Sequence, residues 1–411
     1  MPRALRRMEK AFPLYAIRNP IVGEYNFNTL KAYIMDSAAG KAWIAEYLAS
    51  HQEYTSAVPL EGGVSNYLYR LTKADGSTVI LKHAEPHAVH DENWIMDLSR
   101  VESERAALMS ISAALQPSSS ARDAAVEIPQ VLEYDAENYN LIMSDCGTDT
   151  KDLHTAFPSL TPEQRVAVGR RLGAWLASLH QSSTIDRSAF AAEDSPDRQG
   201  VDQRIELLSA GLPCANSDTA TPQEAAAEKT AFLKLLEPFV ARVLKPSNAS
   251  VVHGDFWPGN ILVGPVNGDQ AAVQQFLAVI DWEGVSLGTG ASDAGTMAGE
   301  AWLLCHFHRT SARASVSEPE DFGMFEAFLK SYLAVVGKVD EDFVRYAMVQ
   351  FAITLSVGRG GKELMRPVKE LGVKVVEAIM GGDEGNQGNR IHEVVNLGWG
   401  MDVWRDWLVG Q

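Results

Sequence analysis

The segment VVHGDFWPGNILV, residues 251–263, carries the side chains whose types and spacing are best suited to chemistry. Within it, His253 and Asp255 are followed by Asn260, and apolar runs flank the polar positions on both sides. Phosphoryl transfer requires a group that orients the attacking hydroxyl and a metal ion that neutralises the phosphate oxygens. Asp255 can accept the proton of a hydroxyl, and the amide oxygen of Asn260 can bind Mg²⁺. The segment therefore predicts the catalytic loop of an ATP-dependent phosphotransferase.

A second acidic cluster, Asp281-Trp282-Glu283, follows the loop by about twenty residues. The apolar run FLAVI directly before Asp281 predicts a strand that ends at this carboxylate. At such a position Asp281 can bridge a metal ion to the β- and γ-phosphates. Oxygen ligands on a loop favour Mg²⁺ over zinc, so ATP and Mg²⁺ are the expected cofactors.

The chain before the loop predicts a small lobe of strands with one helix. The runs VPL, YLYRLT and TVILKHA are rich in strand-forming residues and are separated by glycine-containing turns. The segment LSRVESERAALMSISAAL then predicts a long helix, and IPQVLEYD and YNLIMSD predict two further strands. Earlier still, KAWIAEYLASH has the periodicity of a helix.

These elements together predict an α+β, bilobal protein-kinase-like fold with a small β-rich N-lobe and a larger, mainly helical C-lobe. We expect a helical extension at residues 1–55, a nucleotide-binding lobe at 56–147, and a catalytic and acceptor-binding lobe at 148–411.

Within the predicted C-lobe, Thr161-Pro162 with Gln164 has the pattern of a capped helix start. Residues 183–225, rich in Ser, Ala, Asp and Pro, predict a loop or insertion, and residues 226–246 predict a helix. The catalytic segment 249–283 is expected to hold two short strands joined by loops.

The motifs as a set resemble a known superfamily. HGDFWPGNILV with VIDWE is similar to the aminoglycoside phosphotransferase and choline kinase superfamily, which has D-x-D or D-x-E where protein kinases have D-F-G. GGVSNYLYRL followed by ILKHAEPH resembles its phosphate-covering loop and third strand, and the similarity extends over roughly residues 55–360. The run from Trp94 to Leu108 resembles methylthioribose kinases, and ILKHAEPH also resembles the fungal 4-hydroxytryptamine kinase. Asn260 departs from the methylthioribose branch, which replaces this asparagine, and favours the aminoglycoside and choline kinase pattern.

The resemblance implies roles for residues of the N-lobe. Lys82 would contact the α- and β-phosphates and Glu104 would hold Lys82, as a lysine ending a strand beside a helical glutamate can. A solvated strand end is the alternative for Lys82, and Glu102 is a second possible partner for it. The GGVSN loop would meet phosphate through backbone N–H groups, with an ordinary hairpin turn as the alternative. The resulting candidates for nucleotide binding are Lys82, Glu104, Gly63, Ser65, Asn66, Met143 and Asp145.

The resemblance also extends the metal site and names supporting residues. Residues 143–147 would form the hinge whose backbone meets adenine, although Met143 alone could be a core residue. Glu283 would join Asn260 and Asp281 as a metal ligand, with a capping or surface role as the alternative. Asp293 and His253 are expected to brace the catalytic loop, and His180, which matches a helix end of the family, is expected to be structural.

Composition narrows the partners. The net charge of −17 disfavours nucleic acid and anionic membranes as binding partners, because both require a basic surface. The acidic charge either keeps the protein soluble or attracts a cationic substrate. Three cysteines form neither a disulfide framework nor a zinc motif, and a cytoplasmic location is expected. No apolar run reaches the roughly 18–20 residues of a membrane helix.

The expected reaction is phosphate transfer to a hydroxyl of a small substrate: an amino alcohol, a hydroxylated alkaloid or indole, or a sugar derivative. The protein is expected to be a monomer or homodimer. A protein kinase is the first alternative, disfavoured by D-W-E in place of D-F-G. A catalytically silent nucleotide-binding protein is the second, disfavoured because every catalytic position is filled.

Overall fold

The computed structural model describes the residues between 38 and 357 with several gaps, and these residues divide into two compact units. The described ranges are 38–60, 65–89, 91–115, 126–190, 249–265, 275–311 and 322–357, with a few single positions further on. The first unit takes in residues 1–112, 128–148 and 282–284, and the second takes in 113–127, 149–281 and 285–411. The predicted helical extension and the exact lobe boundaries stay predictions.

The first unit is built on a five-stranded antiparallel sheet with strand order β1-β2-β3-β7-β6. Its helices are α1 (Ala38–Ser50) and α2 (Ser99–Ala114). Its strands are β1 (Tyr54–Pro59), β2 (Tyr67–Lys73), β3 (Thr78–His83), β4 (His87–Ala88), β5 (Asp91–Ile95), β6 (Val131–Asp135) and β7 (Asn140–Ser144). All five sheet strands and both helices were predicted. The β4–β5 ribbon was not predicted, because its strands are short and the first residues of β5, Asp91 to Asn93, are polar and disfavoured in strands.

One face of this sheet is apolar and packs against α1. Side chains alternate between the two faces of a strand, so Leu71, Val79, Leu81 and Ile142 form one buried cluster with aromatic residues of α1. The opposite face carries the residues between them. The register places Arg70, Ile80 and Met143 in one row across β2, β3 and β7, and Leu68, Lys82 and Leu141 in the next. Alternation thus puts Lys82 on the face opposite the α1 cluster.

The second unit is mainly helical and includes two small sheets. Its helices are α3 (Leu153–Ala156), α4 (Pro162–Gln181), α5 (Gly290–Ser311), α6 (Gly323–Val336) and α7 (Glu341–Val357). Its strands are β8 (Lys151–Asp152), β9 (Ser250–Val252), β10 (Ile261–Gly264), β11 (Phe276–Val279) and β12 (Ser286–Gly288). The strand-rich first unit and helical second unit confirm the predicted α+β class. No helix in the described ranges has the length and apolarity to cross a membrane.

Helix α4 begins where the sequence predicted. The Thr161 side chain accepts a hydrogen bond from the Gln164 N–H, and the Gln164 side chain accepts one from the Thr161 N–H, which together form a capping box. Further along, Gly169 and Gly173 face α6, and a Cβ at either position would overlap the carbonyl oxygen of Met324 or Phe328. The two glycines therefore allow the backbones of α4 and α6 to approach closely.

The described residues of the catalytic segment, 249–265 and 275–283, contain three short strands, so the prediction of two was wrong. β10 lies between β11 and β8 in an antiparallel sheet, and β9 pairs with β12. Strand β9 was not predicted, because it is only three residues long and its partner strand lies beyond residue 283. The predicted insertion at 183–225, apart from its first eight residues, and the helix at 226–246 lie outside the described residues.

Candidate active site

The first unit contains the predicted ion pair between Lys82 and Glu104. The Nζ atom of Lys82 lies 2.6 Å from Oε2 of Glu104, and their side chains are 3% and 1% exposed. Because burial of an unpaired ammonium is strongly unfavourable, this contact stabilises the charged form of Lys82. The other oxygen of Glu104 accepts a hydrogen bond from the Trp282 N–H at 3.2 Å. Glu102 is instead half-exposed and pairs with Arg105, one turn further along α2.

Glu283 belongs to the same network of the first unit. Its Oε2 accepts a hydrogen bond from Nδ2 of Asn66 at 2.7 Å and lies 3.3 Å from Nζ of Lys82. Nε of Arg100 lies 3.7 Å from the same oxygen, and Nη2 of Arg100 donates to Oδ1 of Asn66 at 2.9 Å. Lys82 therefore lies near two carboxylates, with Arg100 as a second cation beside Glu283.

Sequence reasoning gave Arg100 no role in the site. Its spacing from Glu104, one helical turn, is the signal that could have placed both on the buried face of α2. Of the loop candidates, Gly63 lies outside the described residues. The carbonyl of Ser65 accepts a long contact of 3.4 Å from Arg100, and the Asn66 amide is bonded to Arg100 and Glu283. Their binding of phosphate stays a prediction.

The predicted hinge, residues 143–147, begins within the last two residues of strand β7. Met143 is buried and lies in the strand itself, paired with Ile80. The carboxylate of Asp145 accepts hydrogen bonds from Arg70 and Thr78, two residues that sequence reasoning did not assign. Burial alone would raise the pKa of Asp145, but hydrogen bonds from Arg70, Thr78 and the Gly147 N–H hold it below its ordinary value.

The second unit holds the catalytic loop, and Asp293 fixes its backbone. The two carboxylate oxygens of Asp293 accept hydrogen bonds from the N–H groups of His253 at 2.7 Å and Gly254 at 3.1 Å. Gly254 has φ 83°, in the left-handed region that favours glycine. Nε2 of His253 donates to the carbonyl of Ile280 at 3.1 Å, which joins the loop to the residue before Asp281. The predicted bracing contacts of Asp293 and His253 are present.

Asp255 and Asn260 contact each other across this loop. Nδ2 of Asn260 donates to the backbone carbonyl and to Oδ2 of Asp255, both at 3.0 Å. Because both partners are acceptors, the amide nitrogen must face Asp255, and the amide oxygen points the other way. The Asn260 carbonyl accepts from the Ile280 N–H at 3.0 Å. This geometry presents one hard oxygen ligand and one carboxylate from the same loop.

Asp281 has φ 64°, a left-handed conformation that few residues other than glycine adopt. Aspartate and asparagine tolerate it best among the other residues. The chain therefore turns sharply where β11 ends, and this turn sets the direction of the Asp281 carboxylate. Its part in metal binding stays a prediction.

A buried chain of hydrogen bonds extends from Asp293 to helix α6. Nε2 of His180 lies 3.2 Å from Oδ2 of Asp293, and Nδ1 lies 2.7 Å from the Tyr332 hydroxyl. Burial and the charge of Asp293 raise the pKa of Tyr332 well above its ordinary value, so the hydroxyl stays protonated beside His180. Sequence reasoning expected a structural His180 but did not find Tyr332.

Comparison with known proteins identifies the family. Residues 56–324 match the model of the APH phosphotransferase enzyme family, which is more than half of the chain. The chain belongs to the APH phosphotransferase family. This APH-family protein is accordingly a small-molecule phosphotransferase, which confirms the enzyme class and the superfamily predicted from the motifs.

Two curated relatives of this APH-family protein are named 4-hydroxytryptamine kinase. The one from Psilocybe cubensis is 26% identical over 332 residues, which cover 77% of this chain and 83% of the relative. The one from Psilocybe cyanescens is 28% identical over 285 residues, which cover 66% and 72%. Among solved structures, the choline kinase from Streptococcus pneumoniae is 15% identical, with a TM-score of 0.44 over 83% of this chain and 100% of its own.

Proposed function

We propose that this APH-family protein transfers the γ-phosphate of ATP to a hydroxyl group of a small molecule, with Mg²⁺ as the metal. The observation that carries the proposal is the catalytic loop. Asp255 and Asn260 are hydrogen-bonded to each other at 3.0 Å, and Asp293 holds the backbone of the same loop. A loop fixed in this way keeps an acid and an amide oxygen in place without an additional ligand.

Each predicted site residue has a distinct part in this proposal. Asp255 would orient the acceptor hydroxyl and take its proton as the oxygen attacks phosphorus. Lys82, held charged by Glu104, would contact the phosphates that are not transferred. The hinge backbone would meet adenine, and the loop with Gly63, Ser65 and Asn66 would contact phosphate.

The oxygen donors of Asn260, Asp281 and Glu283 fit Mg²⁺, which takes carboxylate and amide oxygens in octahedral geometry. When bound, Mg²⁺ would neutralise charge on the phosphate oxygens. The contacts of Glu283 with Lys82 and Asn66 both use Oε2, so Glu283 would bind the metal through its other oxygen, Oε1.

The relatives suggest which acceptor to test first. Both curated relatives are named for a hydroxylated indole amine, and the net charge of −17 is compatible with a cationic substrate. We propose a small hydroxylated amine as the acceptor class, with 4-hydroxytryptamine as the first compound. Amino alcohols and sugar derivatives are the other members of the panel.

An acceptor screen that measures ADP release tests this proposal. Purified protein is mixed with ATP, Mg²⁺ and each acceptor in turn. An unstructured protein such as casein is included as an acceptor to detect protein kinase activity. Release that depends on one small hydroxyl compound supports the proposal. Release only with the protein acceptor would favour a protein kinase, and nucleotide binding without any release would favour a catalytically silent protein.

A further inference from the structure

The carboxylate of Asp145 is fully occupied by donors from its own unit. Oδ2 accepts from Nε of Arg70 at 2.6 Å and from the Thr78 hydroxyl at 2.7 Å. Oδ1 accepts from Nη2 of Arg70 at 3.2 Å and from the Gly147 N–H at 2.9 Å. A carboxylate offers about four lone-pair sites, and these four donors fill them. The Asp145 side chain is therefore committed to the protein and is not a direct ligand for a nucleotide.

The same contacts fix the backbone that follows strand β7. Arg70 reaches Asp145 and also donates to the carbonyl of Gly147 at 3.2 Å. Gly147 itself has φ 114°, in the region that disfavours every residue with a side chain. The side chain of Asp145 is 5% exposed, so water competes little for these hydrogen bonds. Hydrogen bonds from Arg70 thus hold both Asp145 and Gly147, the two ends of this short, sharply turned segment.

The position of these contacts on the sheet relates the hinge to Lys82. Thr78 and Lys82 both lie on β3, four residues apart, and even spacing places them on the same face of the strand. At about 3.3 Å per residue they are separated by roughly 13 Å. Arg70 belongs to the neighbouring strand β2, in register with Ile80, which lies midway between them. Strand β3 therefore carries Lys82 at one end and, at the other, Thr78, which is hydrogen-bonded to Asp145 of the hinge.

We propose that Arg70, Thr78 and Asp145 form a clamp that holds the hinge backbone at a fixed distance from Lys82. The three are positioning residues: they set where the base of a nucleotide binds relative to its phosphates and do not touch the nucleotide themselves. This inference rests on the proposed nucleotide-dependent function. Its specific consequence is that loss of the clamp weakens binding through the base and leaves binding through the phosphates unchanged.

Two ligands separate these contributions. Mg·ATP contains both the base and the phosphates, whereas Mg·tripolyphosphate contains only phosphates. Isothermal titration calorimetry measures the affinity of both for the native protein and for Arg70→Met, Asp145→Asn and Thr78→Val. The matched control is Arg105→Met, which removes another arginine–carboxylate pair of the first unit, between Arg105 and the half-exposed Glu102 on α2.

We expect the clamp variants to bind ATP about tenfold more weakly, because the base site is no longer preorganised, and to bind tripolyphosphate within about twofold of the native protein. Arg105→Met is expected to match the native protein with both ligands. Equal losses for ATP and tripolyphosphate, or no loss for either, would overturn the clamp. Thr78→Val removes a single hydroxyl, so it keeps the test valid if the charge variants fail to fold.

Failure of the clamp and failure of the proposed function give different results. If the native protein binds neither ATP nor tripolyphosphate, both the proposed function and the proposed role of the clamp are contradicted. If the native protein binds both and the clamp variants bind ATP equally well, only the clamp is contradicted. A lower affinity for ATP in the clamp variants, with turnover at saturating ATP close to native, agrees with positioning as their role.

Discussion

At the scale of single residues, the charge on Lys82 is the feature on which the first unit's network depends. Its side chain is 3% exposed and lies within 3.3 Å of two carboxylates, those of Glu104 and Glu283. Removal of a buried cation leaves its partners uncompensated, which typically destabilises a protein by about 3–5 kcal/mol. Substitution of Lys82 would therefore change folding and ligand binding together, and Asp281 offers a cleaner test.

The variant Asp281→Asn is expected to abolish the effect of Mg²⁺ on ATP binding. Asparagine tolerates the left-handed φ of 64° at this position, so the turn is kept while the carboxylate is lost. In the native protein Mg²⁺ should raise the affinity for ATP by about tenfold or more, and in the variant by less than about twofold. Titrations with Mg²⁺ and with a chelator measure both values.

A matched control for this test is Asp186→Asn, which removes an exposed aspartate outside the predicted site. It should leave the response to Mg²⁺ at the native value. A full Mg²⁺ response in Asp281→Asn would show that Asp281 is not a metal ligand.

At the scale of elements, the close contact between α4 and α6 supports the catalytic loop. Helix α4 carries His180, and α6 carries the Tyr332 that is hydrogen-bonded to it. The chain then continues through His180 to Asp293 and the N–H groups of the loop. The separation of the helices thus affects the position of the loop through one hydrogen-bonded chain.

The substitution Gly173→Ala should destabilise the protein by about 1–3 kcal/mol, because its methyl group would overlap the Phe328 carbonyl oxygen. Urea denaturation measures the loss. At an exposed helical position the same change would stabilise the protein by roughly 0.5–1 kcal/mol. The sign of the change in the free energy of unfolding therefore distinguishes close packing at Gly173 from an exposed position. Ser178→Ala, at an exposed position on the same helix, should stay within about 0.5 kcal/mol of native. A stabilised Gly173→Ala would contradict the close packing of α4 on α6.

Features that depend on local pattern were predictable from the sequence. The capping box at Thr161 and Gln164 follows from residues three apart, and the strand that leads to Asp281 follows from an apolar run. The Lys82–Glu104 pair followed from a strand end beside a helix, aided by the family resemblance.

Features that depend on pairing between distant segments were not predictable. Arg70 and Asp145 are 75 residues apart, and their contact requires the register of β2, β3 and β7. His180 and Tyr332 are 152 residues apart and meet only because α4 packs on α6. For Glu283 the motif suggested a metal ligand, but its contacts with Asn66 and Lys82 depend on the folded arrangement of three chain segments.

At the scale of the whole molecule, Asp293 links stability to pH. Burial would raise its pKa, but hydrogen bonds from His180 and the His253 N–H, with the nearby histidine charges, hold the pKa below its ordinary value. Since an unfolded aspartate has a pKa of about 3.9, this carboxylate stabilises the folded state above that pH. The contribution is lost as the pH falls through the lower folded value.

Asp293→Asn should therefore be less stable than the native protein at neutral pH, and the difference should shrink as the pH falls from about 5 towards 3. Urea denaturation of both proteins across this range measures the difference in the free energy of unfolding. A difference that stays constant with pH would show that the ionised carboxylate of Asp293 does not contribute to folding.

The most direct test of the proposed activity follows the phosphorus atom itself. In a ³¹P NMR experiment with native protein, ATP, Mg²⁺ and the acceptor found by the screen, the γ-phosphate signal should be replaced by a phosphate monoester as ADP forms. Asp255→Asn should slow this conversion by about 10²–10⁴-fold while ATP still binds, because the group that takes the hydroxyl proton is lost. Monoester formation at the native rate by Asp255→Asn, or release of inorganic phosphate alone by the native protein, would contradict the account.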